Sequence, residues 1–138
     1  MFRKEPQAFI ALPAETVSSG LRSVIEKTLD RYSVTHTSAD ADPSASSTSP
    51  AIQEMLREAD FVIADITGAN PNVMIEVGMA LGMGKRLLLL SQSRSKELPF
   101  DLAATQVAVY RPENVGSVEK YLELWLRDAL SDRESARS

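Results

Sequence analysis

Asn70-Pro71-Asn72-Val73-Met74-Ile75-Glu76-Val77-Gly78-Met79-Ala80-Leu81-Gly82-Met83-Gly84 lies between two apolar runs, Phe61 to Ile66 and Leu87 to Leu90. Asn70 suits a helix cap and Pro71 the first helical position. The helix that follows is apolar on every side, which predicts burial. It carries a single charge, Glu76. A buried carboxylate is costly unless it is paired, protonated or turned toward a cavity. With Asn70 as cap, Glu76 stands in the second turn, about 9 Å along the axis. The helix start supplies N–H groups without intrahelical partners and a partial positive charge.

Working outward, the chain alternates apolar runs with helical patterns. Ala8 to Leu12 is a continuous apolar run closed by Pro13, which suits a buried first strand. Leu21, Val24, Ile25, Leu29 and Tyr32 recur at helical spacing and predict a first helix ending near Arg31. Ser33 to Ser38 reads as a weaker second strand. Ala39 to Ser49 is rich in Ser, Ala, Asp and Pro and reads as a mobile loop. A short second helix starts at Ser49-Pro50, with Ile52, Met55, Leu56 and Ala59 on one face. Phe61 to Thr67 is the third strand, and Gly68-Ala69 lets the chain turn into the Asn70 helix. Arg86 to Leu90 and Gln106 to Tyr110 are the fourth and fifth strands. Between them come a polar loop, Ser91 to Glu97, and one helical turn over Leu98 to Leu102. A last helix spans Ser117 to Leu130, with a frayed polar tail after Asp132.

Continuous apolar strands alternating with helices predict an α/β fold, a parallel sheet covered on both faces. The expected architecture is one flavodoxin-like doubly wound domain over residues 1–138, five strands in the order 2-1-3-4-5. Ligands of such sheets bind beyond the carboxyl ends of the strands, at the switch between strands 1 and 3. Two loops meet there, Pro13 to Gly20 and Thr67 to Asn72. Glu76 is therefore either a structural group, an ion pair with Arg22 or Lys85 or a carboxylate capping a buried N–H, or a reacting or ligand-holding group. Asp65, at the end of the third strand, either caps the following turn or serves the site. Asn70 and Asn72 serve the helix start and could also bond a ligand. Ser18, Ser19 and Gly20 could hold a phosphate at a helix start. Gly78, Gly82 and Gly84 are expected to permit close packing on the sheet, and Met74, Met79 and Met83 to fill core. His36 is read as a sheet-edge residue.

The totals set further bounds. The 138 residues have a net charge of -4, and no dense Lys/Arg block. That argues against an extended nucleic-acid surface. There is no cysteine and one histidine, which excludes disulfides, thiolate metal sites and multi-histidine metal sites. No cofactor is expected. No apolar stretch reaches the roughly 20 residues that a membrane-spanning helix needs. With no N-terminal signal pattern, the expected setting is cytoplasmic.

The run Ala59 to Lys85 resembles the nucleoside 2-deoxyribosyltransferase-like superfamily. It is most similar to the branch with the pattern ADLTxxNPNVxYELGxAxxxGK, described as nucleotide-binding or TIR-like. Leu98-Pro99-Phe100-Asp101-Leu102 matches a PFDL element of that branch. The resemblance implies a site for a nucleoside or nucleotide, with Glu76 as the nucleophile toward the sugar's anomeric carbon. Asp65 or a loop aspartate would position the sugar or protonate the leaving base. Pro13, Ser18, Ser19, Gly20, Thr67, Gly68, Asn70 and Asn72 would line the substrate. The resemblance also makes NAD a second candidate ligand, a non-catalytic nucleotide-binding or signalling module an alternative, and a homo-oligomer the expected assembly. Departures are Ile75 where the branch has an aromatic, and Ser49-Pro50-Ala51-Ile52 where the transferases carry an aspartate. Asp40 and Asp42 precede that place, and the loop from Leu12 to Thr16 lacks the transferases' tyrosine.

Overall fold

A computed structural model of the chain describes residues 5–13, 20–39, 46–92 and 106–137. Ser18, Ser19, Asp40, Asp42 and the expected helical turn over residues 98–102 lie outside the described residues. Five strands, β1 (Gln7–Ala11), β2 (Thr35–Ser38), β3 (Phe61–Asp65), β4 (Arg86–Ser91) and β5 (Gln106–Val109), form one parallel sheet. Its order is β2-β1-β3-β4-β5, as the sequence pattern predicts. The helices are α1 (Leu21–Arg31), α2 (Pro50–Glu58), α3 (Pro71–Gly82) and α4 (Ser117–Arg137), with short 3₁₀ turns at Thr67–Ala69 and Pro112–Asn114.

The sheet is doubly wound because alternate strand residues feed two separate cores. Ala8, Ile10, Phe61, Ile63, Leu88 and Leu90 pack with Leu21, Ile25 and Leu29 of α1 and Leu122, Trp125 and Leu126 of α4. Phe9, Ala11, Val62, Ala64, Leu87 and Leu89 pack with Ile52 and Leu56 of α2 and Val73, Val77 and Ala80 of α3. Phe61 meets Trp125 edge-on, with centroids 5.6 Å apart at 79°. The residue β3 contributes next on the α1/α4 side is Asp65.

Three readings of the helices are corrected by the structure. First, α4 continues to Arg137, past the expected end at Leu130. Its last turns are tied down: Asp132 pairs with Arg86 of β4, and Arg133 Nε lies 3.2 Å from Asp60 Oδ1. Asp60 also accepts the Gln7 N–H at 2.9 Å, so the end of α4 is held against the amino ends of β1 and β3. Second, the outward side of α3 is not buried. Ile75 and Leu81 are about two-fifths exposed. Third, Gly78 and Gly82 face outward, and an added Cβ on either would meet nothing within 4 Å. They do not bring α3 onto the sheet; the small inward residue there is Ala80.

Gly84 ends α3 instead of lying in it. It adopts φ 70°, its N–H bonds Leu81 O at 3.1 Å, and the Lys85 N–H bonds Ala80 O at 2.9 Å. This pair of bonds is the Schellman stop, which favours glycine because the left-handed conformation crowds a Cβ.

Candidate functional site

The strand register brings the carboxyl ends of β1 and β3 together. Ala11 pairs with Ala64, so the chain leaves the sheet at neighbouring points toward Pro13 and toward Thr67. Pro13 is buried at the first exit. Gly20, in the left-handed conformation at φ 83°, starts α1. Gly20 has no side chain to cap α1, and the first turn holds no acidic residue. At the second exit, Gly68 at φ 72° and Ala69 at φ 49° reverse the chain tightly. Asn70 then caps α3: its Oδ1 accepts the N–H groups of Asn72 at 3.0 Å and Val73 at 3.3 Å. Asn72 itself is exposed on the first turn.

Glu76 sits one and a half turns further on and is only 3% exposed. Its neighbours Val73 and Val77 anchor α3 in the α2/α3 core, which fixes the side of the helix from which the carboxylate projects. Lys85 and Arg22 were the candidate structural partners. The Lys85 ammonium donates to Arg57 O at 2.7 Å, and the Arg22 guanidinium donates to Ser38 Oγ at 3.3 Å. Among the described residues, a hydroxyl that reaches Glu76 belongs to Ser47, whose Oγ lies 3.5 Å from Glu76 Oε2. Ser47 is itself buried.

Asp65 has a different environment. It is fully buried and accepts three hydrogen bonds. Oδ1 takes the Thr67 N–H at 3.0 Å and the Thr67 hydroxyl at 2.6 Å, and Oδ2 takes the Tyr110 hydroxyl at 2.6 Å. Thr67 Oγ1 in turn accepts the Gln92 N–H at 3.0 Å. Carboxylate, threonine, tyrosine and glutamine thus join the ends of β3, β4 and β5. Burial, and then the bond to Asp65, push the Tyr110 hydroxyl above its ordinary pKa. The arrangement holds the 3₁₀ turn Thr67–Ala69 in place, the capping role open to Asp65 from sequence.

The two carboxylates singled out from sequence therefore belong to opposite sides of the sheet. Asp65 shares its core with α1 and α4 through Tyr110, and Glu76 stands on α3 across from it. The structure gathers Thr67, Gly68, Asn70 and Asn72 into one continuous turn and helix start, with Glu76 behind it. His36 lies in the edge strand β2. Its Nε2 is 3.1 Å from Asp30 Oδ1 and its Nδ1 3.7 Å from Glu26 Oε2, both on α1.

Ser47, Tyr110 and Gln92 were not found from sequence. Ser47 is one of several serines in a stretch without periodicity, and nothing local distinguishes it. Tyr110 did carry a signal: a hydroxyl-bearing aromatic at the carboxyl end of an apolar strand needs a buried polar partner. Among the described residues there is no group of three or more His, Cys, Asp or Glu side chains placed to hold a metal ion. None of the described helices is long and apolar enough to cross a membrane.

No protein-family model matches the chain, and no curated protein matches it. Solved structures do. The CMP N-glycosidase BcmB of Clostridium botulinum aligns with a TM-score of 0.57 at 21% identity, over 86% of this chain and 98% of that one. A 2-deoxyribosyltransferase of Bacillus psychrosaccharolyticus aligns with a TM-score of 0.56 at 16% identity, over 80% of this chain and 90% of that one. A fungal multi-domain GH3 beta-N-acetylglucosaminidase with a GCN5-related glucosamine N-acetyltransferase region also aligns, with a TM-score of 0.56 at 19% identity. That match covers 89% of this chain and 14% of the other. At these identities the likeness establishes a shared fold.

Proposed function

We propose that the protein cleaves or transfers the N-glycosidic bond of a nucleoside or nucleotide, with Glu76 as nucleophile. The observation that carries this reading is the burial of the single charge of α3, one helix turn behind the chain's exit from β3 and 3.5 Å from a buried hydroxyl. Neighbours of this fold include an N-glycosidase and a deoxyribosyltransferase, which supports the same class of bond. In the proposed step, Glu76 forms a bond to the anomeric carbon while the C–N bond breaks and its electron pair leaves with the base. The base takes up a proton as it departs. Water, or a second base, then attacks the same carbon and releases the carboxylate.

In this reading Pro13, Ser18, Ser19 and Gly20 contact the substrate from the first loop, and Thr67, Gly68, Asn70 and Asn72 from the second. Asp65 acts by holding the second loop through Thr67. The start of α1, with glycine at its cap position and no acidic residue in its first turn, suits a phosphate on the sugar. Self-association is a further part of the reading, supported by the exposed Ile75 and Leu81 on a helix face that carries no charge.

The acceptor-only contacts of Asp65 favour one alternative, a binding module in which Glu76 bonds a ribose or NAD without turnover. Incubation with nucleosides, nucleotides and NAD, followed by chromatography for free base, separates the two. Base release that disappears in Glu76→Gln, with the fold intact, supports the enzyme. Thermal stabilisation by a nucleotide without base release supports the binding module.

A further inference from the structure

Resting on the reading of Glu76 as the reacting group, we infer that Ser47 is a positioning residue that orients the Glu76 carboxylate. Within the turn that precedes α2, Ser46 and Thr48 are exposed and Ser49 half-buried, whereas Ser47 is 7% exposed. The one buried hydroxyl of a polar turn is the one directed at Glu76 Oε2, across 29 residues of sequence. A buried hydroxyl requires a partner, and here the partner is the buried carboxylate.

The turn is built to keep that hydroxyl in place. The Ser49 N–H bonds Ser46 O at 2.9 Å, closing the turn. Ser49 Oγ accepts the Ile52 N–H at 3.3 Å, which caps α2, and Gln53 Nε2 donates to Thr48 O at 3.0 Å. The helix so capped buries Ile52 and Leu56 in the same core as Val73 and Val77 of α3. Ser47 and Glu76 are thus referenced to one packed layer, and neither can shift without disturbing it.

A donor on one oxygen restrains rotation of the carboxylate about its last torsion. That torsion is otherwise broad, and attack on an anomeric carbon needs one orientation. The 3.5 Å separation is at the long end for a hydrogen bond. Contacts of this kind tighten when the substrate complex forms. Ser47 needs no contact with the substrate to act; it acts through Glu76.

Ser47→Ala and Ser47→Thr test the inference, with Ser46→Ala as an exposed control. Base release from a panel of nucleoside monophosphates is measured together with the carboxyl-carbon NMR resonance of Glu76. The expected result for Ser47→Ala is a kcat lower by about threefold to tenfold at unchanged KM, the effect of one hydrogen bond. Threonine, which keeps the hydroxyl, restores kcat. The Glu76 resonance moves in Ser47→Ala, returns in Ser47→Thr and is unaffected by Ser46→Ala. An unchanged kcat and resonance in Ser47→Ala overturns the inference, as does a loss confined to KM. If the wild-type protein releases no base, the proposed enzyme reading fails by itself. The resonance then decides the role of Ser47: displacement in the alanine variant alone supports it, and no displacement overturns it.

Discussion

Tyr110 donates its hydroxyl to Asp65 Oδ2 at 2.6 Å, although the two come from strands that do not pair. β4 runs between them, and Gln92 just beyond it donates its N–H to Thr67, the other partner of Asp65. One buried carboxylate thereby fixes the carboxyl edge of three strands. Tyr110→Phe removes a hydrogen bond to a buried acid and is expected to cost about 2 kcal/mol in urea unfolding. An unchanged midpoint would show that this bond adds nothing to stability.

The same tyrosine sets a pH dependence. Its pKa in the folded protein is raised above the ordinary value of 10.0. The unfolded chain therefore loses the proton first, and the folded state binds more protons between the two values. Stability from this source is complete below the unfolded pKa, falls as pH rises above about 10 and is lost once pH passes the folded value. Unfolding free energy measured at rising alkaline pH should fall less steeply in Tyr110→Phe than in the wild type. Equal slopes would remove Tyr110 as the source.

Asn70→Ala deletes the cap of α3 and should destabilise the protein by about 1 kcal/mol. Asn70→Asp retains an oxygen acceptor for the Asn72 and Val73 N–H groups and should keep wild-type stability. If both variants melt alike, capping is not what Asn70 contributes.

Glu76→Gln should reduce base release to background while leaving the circular dichroism spectrum unchanged. Its neighbour on the outer face supplies a separate test. Ile75→Lys places a charge on the exposed side of α3 and should shift sedimentation toward monomer. A wild-type protein that is monomeric at every concentration would dispose of self-association.

Removal of residues 131–138 should destabilise the protein by about 1 to 3 kcal/mol, measured by thermal and urea unfolding. The deletion takes away Arg133 and leaves Asp60, already bonded to the Gln7 N–H, without its cation. Unaltered stability would mean that the last turns of α4 are only surface.

Strand and helix identities were legible in sequence because they rest on local periodicity. Continuous apolar runs such as Phe61 to Ala64 can be buried on both faces only in a covered parallel sheet, and the sheet order followed. Asn70-Pro71 announced the start of α3 by the same local logic. The anomaly of Glu76 was equally visible, since one charge in an apolar helix is a statement about composition.

Only the tertiary structure decided what those groups touch. Ser47 and Glu76 are 29 positions apart, and Tyr110 and Asp65 are 45 apart. Hydrogen bonds between such residues depend on the packing of whole elements, which leaves no periodic trace along the chain. The same holds for the end of α4. Its last turn is polar, so periodicity stops at Leu130, but Asp132 and Arg133 find Arg86 and Asp60 beneath it. Gly78 and Gly82 were misread for the converse reason: a glycine's lack of a side chain cannot show which way it faces. Sequence singled out Glu76 and Asp65 as carboxylates in apolar surroundings, and packing alone brought Ser47 to Glu76 and Asp65 to the turn it holds.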